Sequence, residues 1–291
     1  MPSCSTSRQI LIGEESFKVR IKYLLMTKNP RSFQGKVVII TGASSGIGEG
    51  VAYRLAREGM RLTLAARRQD RLEMVAARAR ELGGEVLTFP LDVRDREAIL
   101  QMVQATLERW GRVDILVNNA GIGYPTQVVN IDPEKLRNIL DVNILSVIEC
   151  AQAVLPAMIS QSSGHIINVS SLASFVGLPK SSIYCATKFA VNGFSEGLRR
   201  EVKRKGIYVT TFCPGFVATH FSPRLKKIAE NSDDAPFIPG VMSVEYVANK
   251  IAWVIRHPKR RVAIPRAWRL LSVLANLFPG ITDYILSVWT P

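Results

Sequence analysis

The chain has 291 residues, of which 38 are Lys or Arg and 24 are Asp or Glu, for a formal net charge of +14. With 47% hydrophobic and 21% charged residues it can bury a sizeable core in one large domain or two small ones, which excludes a mainly disordered chain. No fixed-period repeat is visible, the four Cys (Cys4, Cys150, Cys185, Cys213) never form a Cys-x-x-Cys pair, and the three His (His165, His220, His257) lack metal-ligand spacing; no solenoid, disulfide framework or metal site is expected, and a reducing, cytoplasmic setting fits best.

Residues 1–34 contain no uninterrupted apolar run, because Glu14, Glu15, Lys18, Arg20 and Lys22 break every candidate for a secretory signal. They are expected to form a weakly structured extension, with Met26 as the natural start. From 36 to 265, short apolar runs rich in Val, Ile, Leu and Thr alternate with amphipathic segments. The runs are 36–42, 61–67, 85–93, 113–121, 165–171, 207–215 and 260–265, and they read as strands buried on both faces. In 97–110, helical spacing puts Ile99, Leu100, Val103 and Leu107 on one face, while 133–160 and 181–203 read as long helices. This alternation predicts right-handed crossovers and an α/β fold: a Rossmann-type, doubly wound parallel β-sheet of about seven strands flanked by helices.

The first strand runs into TGASSGIG, Thr41 to Gly48, followed by a helical segment. Gly42, Gly46 and Gly48 permit a tight turn and the close approach of a pyrophosphate to backbone N–H groups at a helix start. Ser44 and Ser45 add hydroxyls, and Ile47 lies in the same turn. At the second strand end an NAD site places a carboxylate, which bonds the ribose hydroxyls and repels a 2′-phosphate. This chain has Ala65 and Ala66 there, followed by Arg67 and Arg68. The charge logic favours NADP(H) over NAD(H), the alternative being two solvated arginines at a helix start.

Tyr184 and Lys188, four apart on a helix, share one face. A cation held beside a phenol stabilises the phenolate and lowers its pKa, so this Tyr can exchange a proton with a carbonyl oxygen during hydride transfer. A second pair, Tyr246 and Lys250, has the same spacing but lacks a strand-end hydroxyl thirteen residues upstream, where Asp233 stands. Thirteen before Tyr184 is Ser171, at the end of the HIINVSS run. The spacing selects Ser171 rather than Ser170, and Tyr184 rather than Tyr246.

With TGASSGIG, Asp92 in LDV, NNAG (Asn118 to Gly121), Asn143 in DVNILS, Ser171, Tyr184 with Lys188, and CPGFVAT (Cys213 to Thr219) all in order, the chain resembles the short-chain dehydrogenase/reductase family over residues 35–265. The resemblance implies one nucleotide-binding oxidoreductase domain over 35–265 and a catalytic tetrad of Asn143, Ser171, Tyr184 and Lys188. It implies further that Asp92 and Val93 flank the adenine and that Asn119, Ala120 and Gly121 line the cofactor cleft. By the same resemblance, Pro214, Gly215, Val217 and Thr219 meet the nicotinamide end, Lys188 bonds the ribose, and the main chain of Asn143 holds a water linked to Lys188. The family often has a basic residue where this chain has Ser45, which leaves the NADP reading resting mostly on Arg67. The Asn118–Gly121 turn can alternatively serve only as a brace for the central strand.

Residues 220–242 read as a substrate loop in which Phe221, Phe237, Ile238 and Met242 form an apolar pocket wall or merely pack the loop; the first option implies a lipid-like or aromatic substrate. The tail, 266–291, is basic at Arg266 and Arg269 and then apolar. Pro279–Gly280 interrupts it, so it suits peripheral contact with a lipid interface, or packing on the sheet edge or another subunit. The basic runs 199–205 and 256–269 fit a solvated face, acidic lipid or an acidic carrier protein, with no nucleic-acid-binding signature beside them. The expected function is NADP(H)-dependent interconversion of a carbonyl and an alcohol on an apolar substrate, in a homo-oligomer. A 3-oxoacyl-carrier-protein reductase and a catalytically silent NADP-binding protein are the alternatives.

Overall fold

The computed structural model describes residues 33–219, 241–265, 275 and 277–289, with side chains in the last stretch as far as Tyr284. The expectations for the extension before Phe33, for Met26, for Phe221, Phe237 and Ile238 of the substrate loop, and for 266–274 of the tail lie outside the described residues.

Seven strands form one parallel sheet: β1 (Val37–Thr41), β2 (Arg61–Ala66), β3 (Glu85–Pro90), β4 (Ile115–Asn118), β5 (Gly164–Val169), β6 (Ile207–Pro214) and β9 (Arg261–Ile264), in the order β3-β2-β1-β4-β5-β6-β9. A separate two-stranded ladder pairs β7 (Phe216–Val217) with β8 (Val241–Met242). Met242 packs against the main core from this ladder. The helices are α1 (Gly46–Ala56), α2 (Gln69–Glu81), α3 (Arg96–Trp110), α4 (Pro133–Leu140), α5 (Ser146–Ser160), α6 (Ser182–Val202), α7 (Val244–Arg256) and α8 (Pro279–Trp289).

Period-two alternation explains why the strand runs are continuously apolar. In β1, Val38 and Ile40 join the core under α1, α2 and α7, while Ile39 joins the opposite core under α3, α5 and α6. The strand order runs outward from β1 in one direction and from β4 in the other, so the crevice between their C-terminal ends is the switch point where such sheets bind ligands. Asp114 secures that junction at the opposite edge. Its carboxylate accepts from Val37 N at 3.0 Å, Lys36 Nζ at 2.9 Å and Arg112 Nη2 at 2.7 Å.

Two local findings differ from the periodicity. Leu100 is 40% exposed, and the buried face of α3 is Ile99, Met102, Val103 and Thr106. The helix is phased by its Asp95 cap, which accepts from Ala98 N, and by the buried Thr106–Thr63 hydroxyl pair at 2.8 Å, a polar core contact that an apolar count passes over. The long helix expected over 133–160 is interrupted by a π-helical turn, Asp141–Leu145, which carries Asn143. Such a turn shifts the hydrogen-bond ladder by one residue and is frequent at functional sites.

Candidate active site

The candidate residues gather along the C-terminal edge of the sheet because each motif directly follows a strand. TGASSGIG follows β1, the two arginines β2, Asp92 and Val93 β3, NNAG β4, Ser171 β5, and the 213–219 segment closes β6.

The glycine loop is held by contacts that leave no room for side chains. Gly42 has φ +65°, and a Cβ there would lie 2.9 Å from Ala120 Cα. A Cβ on Gly48 would strike Gly42 O and come within 2.6 Å of Asn119 Nδ2. Ser45, in the N-cap position of α1, makes no side-chain cap, so the first-turn N–H groups stay available to an anion. Ile47 faces inward and packs on the core. A Cβ on Gly46 would meet Thr219 Cγ2 at 3.1 Å, so the glycine loop and the end of the 213–219 segment approach each other closely.

Arg68, the second of the two arginines after β2, reaches back across the loop. Its Nη2 donates to Ser44 Oγ at 3.2 Å and Ser45 Oγ at 3.1 Å. Arg67 is exposed at the same strand end, where its charge helps to hold the Asp92 carboxyl below its usual range. The larger cause there is Arg94, which bonds Asp92 Oδ2 at 2.7 Å. Val93 is buried in the core beneath β3. No Asp or Glu occupies the end of β2, so this corner presents guanidinium and hydroxyl donors.

Asn119 works as a brace. Its Nδ2 donates to Thr41 O at 3.0 Å and Gly42 O at 3.2 Å, while Asn119 N and Ala120 N both donate to Thr41 Oγ1 at 3.1 Å. Asn118 bonds Val147 O and Asn168 Oδ1 inside the core. Gly121 comes closest to the chemistry: a Cβ there would sit 3.4 Å from Asn143 Oδ1 and 3.6 Å from Lys188 Nζ.

Ser171, Tyr184, Lys188 and Asn143 converge. The Ser171 hydroxyl bonds the Tyr184 hydroxyl and accepts from Ala173 N at 3.1 Å. Ser170 points the other way, donating to Lys188 O at 3.2 Å, as alternation at a strand end requires. Lys188 Nζ lies 5.7 Å from the centre of the Tyr184 ring and donates to Val169 O at 3.2 Å. Asn143 is locked by Ile122, accepting from its N at 2.9 Å and donating to its O at 2.9 Å. Asn143 Nδ2 also donates to Thr187 Oγ1 at 3.1 Å, and that hydroxyl donates to Tyr184 O at 2.7 Å. Thr187 therefore ties the π-helical turn to α6. Its signal in the sequence is a hydroxyl residue able to bond back one helical turn, beside the lysine.

The electrostatics differ from the sequence expectation in one respect. Burial pushes the Tyr184 phenol up to about 12, with the Ser171 hydrogen bond acting in the opposite direction. Burial pushes Lys188 down to about 8. The ammonium lies over the ring and bonds the Val169 carbonyl, so in the ligand-free chain desolvation outweighs the lowering expected from it. Lys188 meets no carboxylate among the described residues, which leaves N–H donors for a ligand in the cleft.

Pro214 and Gly215 bring the end of β6 against the neighbouring edge strand. Gly215 N donates to Ile264 O at 2.8 Å, and a Cβ on Gly215 would lie 3.0 Å from Leu172 Cδ1. Val217 pairs with Met242, and Thr219 Oγ1 donates to Val217 O at 3.4 Å. The other Tyr/Lys pair, Tyr246 and Lys250, lies on α7, a helix that packs on α1, with Tyr246 exposed.

A family model for short chain dehydrogenases matches residues 36–229. An uncharacterized oxidoreductase of Staphylococcus saprophyticus is 40% identical over 190 residues, covering 65% of this chain and 81% of that protein. SadH of Mycobacterium tuberculosis, which carries an oxidoreductase name, is 35% identical over 254 residues, covering 84% and 92%. Among solved structures, a short chain dehydrogenase/reductase from Burkholderia phymatum in complex with NAD aligns with a TM-score of 0.76 at 25% identity, over 86% of this chain and 96% of that one. A variant of the actinorhodin polyketide ketoreductase with NADPH aligns at 0.71 and 29% identity, over 79% and 95%. Fold, motif placement and these similarities agree, and the chain belongs to the short-chain dehydrogenase family.

Proposed function

We propose that the protein is an NADP(H)-dependent oxidoreductase that interconverts a carbonyl and an alcohol on an apolar substrate. The observation that carries this reading is the Ser171–Tyr184 hydroxyl pair set beside the buried Lys188 ammonium at the switch-point edge of the sheet. The cofactor, when bound, supplies or takes up the hydride. Ser171 holds the substrate oxygen, and Tyr184 donates a proton to it in reduction or accepts one in oxidation. Lys188 bonds the ribose and, once a hydroxylated ligand orders its N–H groups, stabilises the phenolate. Asn143, fixed through Ile122 and Thr187, keeps the π-helical turn in place beside Gly121 and Lys188.

The uncapped start of α1 and the close-packed glycine loop fit a pyrophosphate. For the 2′-phosphate, the support is Arg68 resting on the Ser44 and Ser45 hydroxyls with Arg67 beside it and no carboxylate at the end of β2. The similar solved structures hold NAD in one case and NADPH in another, so the preference rests on these residues of this chain. For an apolar substrate, the support is Phe216, exposed at the end of the β6 segment, and Leu172, which borders Gly215 next to Ser171.

The carrier-protein reductase reading has less support. The basic run 199–205 leads into the N-terminal end of β6, and the eight residues of that strand, about 25 Å, separate it from the catalytic edge. A fluorescence titration of NADPH and NADH into wild type, Arg67→Ala and Arg68→Ala tests the cofactor reading, and NADPH oxidation with a panel of apolar ketones tests the chemistry. Expected are tighter NADPH binding, a loss of about tenfold or more in each variant for NADPH alone, and turnover reduced by about 10²–10⁴-fold in Tyr184→Phe. Equal binding of both nucleotides in all three proteins would overturn the phosphate assignment.

A further inference from the structure

On the face of β5 that meets α6, the side chains change character towards the catalytic edge. Ile166 shares an apolar core with Leu198 and Val202, but the next two positions on that face are Asn168 and Ser170. Asn168 is fully buried, and its partners Asn118 and Ser195 are each 2% exposed. The three form one hydrogen-bonded chain. Asn118 Nδ2 donates to Val147 O at 3.1 Å and to Asn168 Oδ1 at 2.9 Å. Asn168 Nδ2 donates to Ser195 Oγ at 2.9 Å, and that hydroxyl donates to Val191 O at 2.6 Å.

This chain of bonds ties the two helices that carry the site to two adjacent strands. Val147 lies on α5 one turn after Asn143, and Ser195 lies on α6 two turns after Lys188. Asn118 closes β4, and Asn168 immediately precedes Val169, whose carbonyl accepts from Lys188 Nζ at 3.2 Å. Three residues beyond Asn168 stands Ser171. Buried polar pairs add little stability over apolar groups of the same shape, whereas a fully paired set specifies a single arrangement. Apolar packing alone would let a helix settle in slightly different positions; a bond from Asn168 to one hydroxyl does not.

We propose that Asn168 and Ser195 are positioning residues that fix the register of α6 on β5, holding Lys188 on the Val169 carbonyl and the Tyr184 hydroxyl at Ser171. Both act through the helix and the strand, without touching the reacting atoms. Moving α6 by one residue is a rise of about 1.5 Å, and a misplacement of about 1 Å can cost a hundredfold in rate. The Ser170–Lys188 O bond is a second rung between the same two elements, nearer the catalytic edge. The effect on catalysis rests on the function proposed above; the seating of Lys188 does not.

The test compares wild type, N168L/S195A, Ser195→Ala and Ser195→Thr by thermal melts, NADPH titration and steady-state reduction of apolar ketones. N168L/S195A removes both ends of the central bond together, so it is expected to melt near wild type and to bind NADPH within about threefold. Its kcat falls by about thirtyfold or more with KM moved by less than about threefold, while Ser195→Thr, which keeps the hydroxyl, keeps wild-type kcat. Lys188 is read separately by carbon NMR of its ε-carbon in the free protein, assigned with Lys188→Met. It titrates at about 8 in wild type and Ser195→Thr, and rises towards 10.5 in N168L/S195A as the ammonium slips into water. That reading needs no turnover, so a wild type inactive on every ketone sinks the proposed function and leaves the positioning role to be judged on Lys188. An N168L/S195A protein that melts like wild type with unchanged kcat, or with Lys188 still titrating at about 8, overturns the proposal. If it does not fold, Ser195→Ala is judged on the same two readings, and a kcat that falls only with the folded fraction overturns it.

Discussion

Ser170 Oγ donates to the main-chain oxygen of Lys188 at 3.2 Å, while its neighbour Ser171 turns its hydroxyl to Tyr184. One serine of the doublet braces the helix and the other meets the Tyr184 hydroxyl. Ser171→Ala is expected to lower kcat/KM by about a hundredfold or more with little change in Tm, because its side chain stands at the cleft. Ser170→Ala is expected to keep most of the activity and lose about 1 kcal/mol of stability through the lost buried hydrogen bond to Lys188 O. Steady-state kinetics beside thermal melts separate the two, and the reverse pattern would reassign the role.

Lys188, which under the proposed function serves the chemistry, is costly for the fold. Its pKa in the folded chain, about 8, lies below the ordinary 10.5, so the unfolded chain holds the proton more tightly. The cost is therefore full below pH 8 and is relieved as pH rises from 8 to 10.5. Lys188→Met should be more stable than wild type by about 3 kcal/mol at pH 7, with the difference fading towards pH 10.5, and should lack activity. Denaturant melts at several pH values measure this; a difference independent of pH would mean the buried ammonium is neutralised by something else.

Tyr184–Lys188 and Tyr246–Lys250 have nearly the same internal geometry, with the ammonium 5.7 Å and 5.3 Å from the ring centre. Only the first has Ser171 at its hydroxyl. Tyr184→Phe is expected to reduce turnover by about 10²–10⁴-fold and Tyr246→Phe by less than about twofold. Ultraviolet difference titration of wild type against Tyr184→Phe should show a phenol ionising near 12 in the free protein. Oxidised cofactor, whose ring carries positive charge, should bring that value down. A phenol ionising near its ordinary value in the free protein would show that burial does not control it.

Gly48→Ala places a methyl against Gly42 O and within 2.6 Å of Asn119 Nδ2. Neither can retreat freely, because the Asn119 amide is bonded to Thr41 O and Gly42 O at 3.0 Å and 3.2 Å. The substitution is expected to cost about 1–3 kcal/mol of stability and at least about tenfold in nucleotide affinity, read by melting and by fluorescence titration. Unchanged affinity would show that the loop is not the phosphate cradle.

The sequence by itself determined the seven strands and the family. Strands covered on both faces must be apolar at every position, so their runs stand out without periodicity, and the site motifs are legible because each is a local stretch directly following one of those strands. Tertiary structure alone decided the rest. Leu100 points outward because Thr106 finds a partner in Thr63 on β2. Arg68 joins the site because α1 and β2 bring its guanidinium onto Ser44 and Ser45. Tyr184 and Lys188 are shifted in opposite directions because burial penalises whichever form is charged, and burial is a property of the packed chain rather than of spacing. β9 lies beside β6, with Arg261 opposite Thr211, through a long-range pairing that no local pattern encodes.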